Sequence, residues 1–217
     1  MAHTAQTAIN NLRIMLGETD KLNSRWDDAA HLLYYFNLGR RMFAKESKVV
    51  KALFEQTLPK GVTLGNTYAR HVVPPELFEI DEMYWDDTEV ERAHPGEWEE
   101  QLHGIDPSTP GRPYVYRFFG DAIDLYFAPD KEAVLEIWAS IVTTDLPALG
   151  SSETELNDDQ VQIALYAAAS QALTDDDRDG TIYEGRFNKG AKEWHRARYK
   201  KGPRYVEQTF TRKHRRL

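Results

Sequence analysis

"TDDDRDGTIYEGR", Thr174 to Arg186, decides the fold, because it reads either as a calcium loop or as the turn between two helices. Aspartates at 175, 177 and 179, Gly180 at the sharp turn and Ile182 two places on follow the opening of an EF-hand loop. Such a loop sets oxygen ligands at alternating positions and closes the coordination sphere with a bidentate glutamate at its twelfth place. Starting from Asp175, the twelfth residue is Arg186, a cation, and Glu184 stands two places too early to replace the missing ligand. The stretch is therefore expected to be a polar turn in which Asp179 or Thr181 caps the second helix.

Its flanks agree. Upstream, Asp158 or Asp159 can open a helix that puts Val161, Leu165, Ala168 and Ala172 on one face, with Ala164, Ala167 and Ala169 keeping the flanks slim enough for close helix contact. Downstream, Tyr183, Phe187, Ala191 and Trp194 form the stripe of a last helix that ends near Lys200, Gly202 and Pro203. The beginning of the chain is helical too. Ile9, Leu12, Met15 and Leu16 recur at helical spacing before Gly17, and "SRWDDAAHLLYYFNLGRRMFAKES" (24–47) opens on Asp27 or Asp28 as a cap and aligns Leu32, Phe36, Gly39 and Phe43.

Between these parts the period changes from helical to two. "VVKALFEQT" (49–57), "YARHVV" (68–73), "LFEIDEMYW" (77–85), "YVYRFF" (114–119), "AIDLYFA" (122–128) and "EAVLEIWASIV" (132–142) are short, rich in β-branched and aromatic residues, and broken by Pro and Gly. Gly120-Asp121 reads as a hairpin turn. The expected fold is α+β: a discontinuous helical bundle from residues 1–48 and 146–202, an inserted antiparallel β region at 49–145, and an extended basic tail at 203–217.

Composition narrows the function classes. The chain has 217 residues, 41% of them hydrophobic, which suits a folded globular protein with one sizeable core or two small ones. No run approaches the roughly 18 apolar residues of a membrane span. Met1-Ala2-His3-Thr4 has neither a basic leader nor an apolar signal core, so the cytosol of the producing cell is the expected place of synthesis and folding. The absence of cysteine excludes disulfides, thiol nucleophiles and zinc-thiolate centres. The net charge of −8 is unevenly spread: residues 76–106 hold twelve acidic residues against Arg92 alone, whereas residues 200–217 hold seven Lys or Arg against Glu207 alone. Charges so divided point to separate surfaces for separate neighbours.

Catalytic signatures are missing. In "ERAHPGEWEEQLH" (91–103), Glu91, His94, Glu97, Glu100 and His103 recur at every third position, but Pro95-Gly96 interrupts the helix that would gather them around a metal. No phosphate loop and no Gly-x-Ser-x-Gly elbow occurs. Neither an enzyme nor a cofactor or metal is expected. The basic end carries the remaining chemistry: Arg212, Lys213, His214, Arg215 and Arg216, with Tyr205 and Phe210 upstream, can grip phosphates and stack on bases, or act as an arm that orders on a protein partner. As a strand it would place Val206, Gln208 and Phe210 on one side, Tyr205, Glu207 and Thr209 on the other.

The order of these parts resembles the head-to-tail adaptor (connector) proteins of tailed bacteriophages, including the tail tubular A type. The resemblance is carried by "INNLRIMLGETDKLNSRWDDAAHLLYYFNLGRRMFAKES" (9–47), "YARHVVPPELFEIDEMYW" (68–85), "RPYVYRFFGDAIDLYFAPDKEAVLEIWASIV" (112–142) and "DDQVQIALYAAASQAL" (158–173) with the hairpin after it. It departs from the family in the acidic segment 86–110. The resemblance implies a non-enzymatic virion protein at the head-tail junction, assembled in the host cytoplasm as a ring, usually of twelve copies. That ring docks on the portal protein and presents a surface to the tail nozzle or next tail component, while DNA passes through its lumen without specific binding. The tail would be the portal-binding arm, through Tyr205, Val206, Phe210, Arg212, Lys213, Arg215 and Arg216. The other reading of the same tail is a nucleic-acid-binding packaging accessory protein.

Overall fold

The computed structural model describes residues 4–18, 25–60, 69–94, 96, 110–119, 122–200 and 214–216. The fold is mixed α+β, and the chain divides into two compact units, one from residues 1–50 and 141–210, the other from 51–140 and 211–217. The chain leaves the first unit at Val50 and returns at Ile141, whose N–H donates to the Val50 carbonyl at 3.0 Å.

The first unit is helical. Helix α1 (Ala5–Met15) starts where Thr4 Oγ1 accepts the Thr7 N–H at 3.3 Å, and it stops at Gly17, whose φ of +75° suits only a residue without Cβ. Asp27 opens the next helix: its Oδ1 accepts the N–H groups of Ala29 and Ala30 at 2.9 and 2.7 Å. The first turn, Asp28–Leu32, is wound as a π-helix before α2 (Leu33–Ser47) continues it. Helix α3 (Asp158–Asp175) begins at Asp158, one of the two aspartates expected to open it, and is capped by the residue before. Asn157 Oδ1 accepts the Gln160 N–H at 3.0 Å, and Gln160 Oε1 accepts the Asn157 N–H at 2.9 Å, a reciprocal capping box. Helix α4 (Thr181–Lys200) completes the set.

The expected stripes are the buried ones: Ile9, Leu12 and Leu16 on α1, Leu32, Phe36 and Phe43 on α2, Val161, Leu165, Ala168 and Ala172 on α3, Phe187 and Ala191 on α4. Contact between α2 and α3 is so close that a Cβ on Gly39 would stand 2.2 Å from the Ala164 carbonyl oxygen and 2.9 Å from the Ala168 nitrogen. The small residues of α3 make that approach possible.

The second unit is built of strands. Strand β1 (Lys51–Leu58) pairs antiparallel with β10 (Ala133–Ile141) from Lys51↔Ser140 to Leu58↔Ala133. A five-stranded sheet follows the order β11-β1-β10-β3-β4, with β3 at Leu77–Trp85, β4 at Thr88–Glu89 and β11 at His214–Arg216. Asp86 and Asp87, both at positive φ, form the two-residue turn between β3 and β4, as the right-handed twist of a hairpin requires. A second sheet has the order β2-β8-β7-β5, from β2 (Ala69–Val72), β5 (Glu91–Arg92), β7 (Val115–Phe119) and β8 (Ala122–Tyr126). The antiparallel pair β7–β8 forms where "YVYRFF" and "AIDLYFA" predict it, although its Gly120-Asp121 turn lies outside the described residues. Strands β6 (Pro110–Gly111) and β9 (Ala128–Pro129) form a third, parallel pair, and β5–β7 is parallel as well.

Alternation sorts the side chains. Phe54 and Leu58 of β1, Leu135, Ile137 and Ala139 of β10, and Ile80, Met83 and Trp85 of β3 are buried. Strand β8 is buried at all five positions, so both of its faces are covered. One of the five is Asp124, with no exposed surface, whose carboxylate is held by Arg117 Nε at 3.2 Å.

Candidate functional site

The stretch Thr174–Arg186 is the turn between α3 and α4. Gly180 closes it against α3, where a Cβ would meet the Ser170 carbonyl oxygen at 2.6 Å. Two of the carboxylates that would ligate calcium, Asp175 and Asp179, are engaged by protein donors, as is their neighbour Asp176. Asp175 accepts Tyr35 Oη at 3.0 Å and Gln171 Nε2 at 2.8 Å. Asp176 accepts two hydrogen bonds from Arg25 Nη1, at 2.9 and 3.1 Å. Asp179 Oδ1 accepts the Thr181 N–H at 2.9 Å and its hydroxyl at 2.6 Å, which makes it the cap of α4 and holds its carboxyl below the ordinary carboxylate range. Burial, with the Asp175 carboxylate second, pushes the Tyr35 hydroxyl up to about 12. Arg186 points back over the ring of Tyr166, 5.6 Å from its centre.

The second metal candidate is only partly described. Glu91 lies in β5, in parallel register with Val115 of β7, and His94 follows the strand; Glu97, Glu100 and His103 fall outside the described residues. Among the described residues no three His, Cys, Asp or Glu side chains are grouped as metal ligands.

The most buried charged cluster centres on Arg40 of α2. Its guanidinium donates through Nε to Glu153 Oε2, through Nη2 to Glu153 Oε1 at 3.1 Å and Glu155 Oε2 at 3.2 Å, and through Nη1 to the Thr144 carbonyl at 2.6 Å and Asn37 Oδ1 at 3.3 Å. Glu153 also accepts the N–H groups of Glu155 and Leu156, and Glu155 accepts the N–H and the hydroxyl of Thr144. Asn37 binds both the N–H and the carbonyl of Leu146, at 3.0 and 3.1 Å. All three charges are thus paired inside the protein, and Arg40 and Glu153 side chains are 1% exposed. Such a cluster adds little net stability over apolar packing, but it specifies where the returning segment 142–157 lies on α2. Its logic is structural. Sequence reasoning passed over Arg40, although its place beside Gly39 on the buried stripe was a signal that it needs carboxylates.

Of the residues proposed for the basic arm, Tyr205, Val206, Phe210, Arg212 and Lys213 lie outside the described residues. Arg215 and Arg216 belong to β11, which runs parallel to β1 in the register Leu53↔His214, Phe54↔Arg215 and Glu55↔Arg216. The end of a segment expected as a tail therefore sits in a sheet.

The sequence profile of the SU10 adaptor protein family matches residues 4–207. The chain belongs to the SU10 adaptor protein family. No curated protein matches it. As an SU10 adaptor it is a bacteriophage structural protein, of a kind that works by assembly rather than catalysis.

The surface of the SU10 adaptor carries features suited to assembly. Tyr183 Oη donates to the Met15 carbonyl at 2.8 Å and Arg178 Nη2 to that of Leu16 at 3.2 Å, so the last turn of α1 meets the first turn of α4. There Ile14 and Ile182 stand 65% and 67% exposed. Tyr34, also exposed, packs edge-on against Tyr35, which holds Asp175. Among the described residues, the exposed large apolar side chains of the first unit, Ile14, Tyr34 and Ile182, thus gather at the hairpin-turn end of its helices. In the second unit the acidic segment is partly neutralised: Asp81 pairs with Lys51, and Asp86 with Lys131, whose ammonium also lies 5.6 Å from the Trp85 ring centre. No described helix is long and apolar enough to cross a membrane.

Proposed function

We propose that this SU10 adaptor forms a ring below the portal, of about twelve copies as its resemblance to head-to-tail adaptors implies, and connects the portal to the tail nozzle or next tail component. The family match over nearly the whole chain carries this reading. Supporting it are the engagement of the turn aspartates and of the Arg40 cluster by protein groups, which leaves them structural, and the apolar hairpin-turn end, which gains by burial against a neighbour. The free chain is a monomer or weak oligomer that closes its ring on the portal template, because acidic sheet surfaces repel one another until neighbours neutralise them. An acidic lumen would also let DNA pass without holding it.

The basic arm makes the attachment. An extended strand offers its backbone to a partner sheet, Val206 and Phe210 fill pockets, and Arg212, Lys213, Arg215 and Arg216 meet acidic portal groups, speeding encounter more than tightening the final complex. Co-sedimentation with portal-containing capsids tests this: the full chain attaches, and the chain lacking residues 204–217 keeps its helical circular dichroism and stays behind. Equal attachment by both chains would remove the arm from the account. Tight, steeply salt-dependent binding of the isolated chain to DNA would replace the reading with that of a packaging accessory protein.

A further inference from the structure

Helix α4 turns a basic stripe away from the core of its unit. Ile182, Gly185, Lys189, Lys192 and Arg196 are all exposed, and at the helical period they fall within an arc of about 80°, opposite the buried Phe187. The stripe is about 20 Å long and opens on the isoleucine before the three cations. Among the described residues none of these cations pairs with a carboxylate. Glycine inside a helix costs stability relative to alanine, and Gly190 has an internal reason for it, since a Cβ there would meet Ile163 at 2.9 Å. Gly185 has nothing within 4 Å of an added Cβ. Bare backbone on the stripe suits a neighbour that approaches from outside the chain.

The β unit holds a surface of opposite charge. On the side of β3 away from the buried Met83 and Trp85, Tyr84 Oη donates to Glu82 at 3.1 Å, and Glu89 of β4 is the register partner of Tyr84. Burial pushes the Tyr84 hydroxyl up, as do Glu82, Glu89 and Glu136 of β10, so three carboxylates lie near one phenol. Val134, 41% exposed, is two residues from Glu136 and shares its face of β10. Asp81 and Asp86 have Lys51 and Lys131, whereas among the described residues Glu82, Glu89 and Glu136 have no cation.

We propose that the stripe on α4 of one copy docks on the face of Glu82, Glu89 and Glu136 of a second copy, and that this pairing of unlike surfaces is the lateral contact of the ring. The inference rests on the ring reading above and adds to it the two surfaces. Three cations meet three carboxylates, and Ile182 and Val134 add apolar area. A surface that meets a different surface on its neighbour builds a head-to-tail series that can close into a ring, whereas a self-complementary contact stops at a dimer. Exposed ion pairs contribute little each, so the contact is weak between free chains and takes hold when a template keeps copies side by side.

Charge reversal tests the pairing. One variant carries Lys189→Glu, Lys192→Glu and Arg196→Glu, the other Glu82→Lys, Glu89→Lys and Glu136→Lys. None of the six positions is buried, and circular dichroism checks that each chain folds. In sedimentation velocity at low salt and high protein concentration the unaltered chain should self-associate, and each variant alone should do so at least roughly tenfold more weakly. An equimolar mixture of the two variants should recover the association, because each then offers the other an unlike surface. Gly185→Gln keeps every charge and improves the helix, so it should raise the melting temperature and yet weaken association. A mixture no better than its components would overturn the pairing, as would an unaltered chain that stays monomeric at millimolar concentration in low salt. Loss of duplex DNA retention in the α4 variant, with self-association untouched, would assign the stripe to phosphates instead. Electron microscopy with portal rings separates this contact from the ring itself. If each variant alone still stacks a normal ring on the portal, the lateral contact is wrong and the ring stands. If the unaltered chain self-associates through these surfaces but leaves portals bare, the ring reading fails and only the pairing survives.

Discussion

The hydroxyl of Tyr35, at the start of α2, donates to the carboxylate of Asp175, at the end of α3, at 3.0 Å and 140 positions away in the chain. This bond joins the first helical segment to the second across the whole inserted β region. Tyr35→Phe removes the donor and leaves Asp175 with Gln171 and solvent, so the denaturation midpoint should fall by about 1 kcal/mol of stability. The pH dependence has a defined sign. Burial and Asp175 hold the Tyr35 pKa up at about 12 against an ordinary 10.0, so the unfolded chain gives up this proton first. The contribution is complete below pH 10 and is lost as the pH rises toward 12. Denaturant titrations at successive pH values should show a shallower alkaline decline in Tyr35→Phe than in the unaltered chain, with Tyr116, raised to about 12 by burial, supplying part of what remains.

The cap of α4 titrates in the opposite sense. The hydrogen bonds from Thr181 hold the Asp179 carboxyl below its ordinary 3.8, so its contribution is present above that value and disappears as the pH falls through the folded-state pKa. Asp179→Ala should lower the melting temperature at pH 7 and lower it progressively less in acid. Calcium at millimolar concentration should leave the melting temperature of the unaltered chain unchanged, since a true site would raise it by mass action. A calcium-dependent rise of several degrees would restore the EF-hand reading.

Two glycines of the helical unit predict opposite outcomes from one substitution. Gly39→Ala forces a methyl group against the Ala164 carbonyl, a backbone atom that cannot swing aside, and should cost about 3 kcal/mol or more. Gly185, inside α4, has nothing within 4 Å of an added Cβ, and Gly185→Ala should stabilise by about 0.5–1 kcal/mol. Urea denaturation of the two variants measures both; destabilisation of similar size in each would mean that α2 and α3 do not touch as described.

For the Arg40 cluster, Arg40→Met leaves Glu153 buried and without its cation, and about 3–5 kcal/mol should be lost. Replacing Arg40→Met together with Glu153→Met should restore part of it, because the fully buried carboxylate then goes with its cation and Glu155, 11% exposed, keeps its hydrogen bonds from Thr144. A double variant as unstable as the single one would assign the loss to packing.

Much of this architecture was legible in local patterns. Leu32, Phe36 and Phe43 announced the buried face of α2, and "LFEIDEMYW" became a strand over its whole length, because periodicity reports burial directly. The start of α3 at Asp158 was legible, whereas the Asn157 and Gln160 capping box, readable in "NDDQ", was passed over because the paired aspartates drew attention first. The π-helical turn at Asp28–Leu32 has no sequence signature, since one extra residue in a turn leaves the apolar spacing nearly unchanged. The Arg40–Glu153 contact spans 113 positions and was invisible for that reason. Strand β11 was equally hidden, as three basic residues carry no strand pattern until β1 lies beside them. At the candidate site the sequence revealed which charges exist and where they concentrate, whereas their partners are set by tertiary pairing.

If this SU10 adaptor assembles on a portal, electron microscopy of the full chain mixed with purified portal rings will capture the complex. The expected image is a second ring of density stacked on one end of each portal ring, absent from either protein alone. Portal rings that remain bare in the presence of excess folded chain would contradict it.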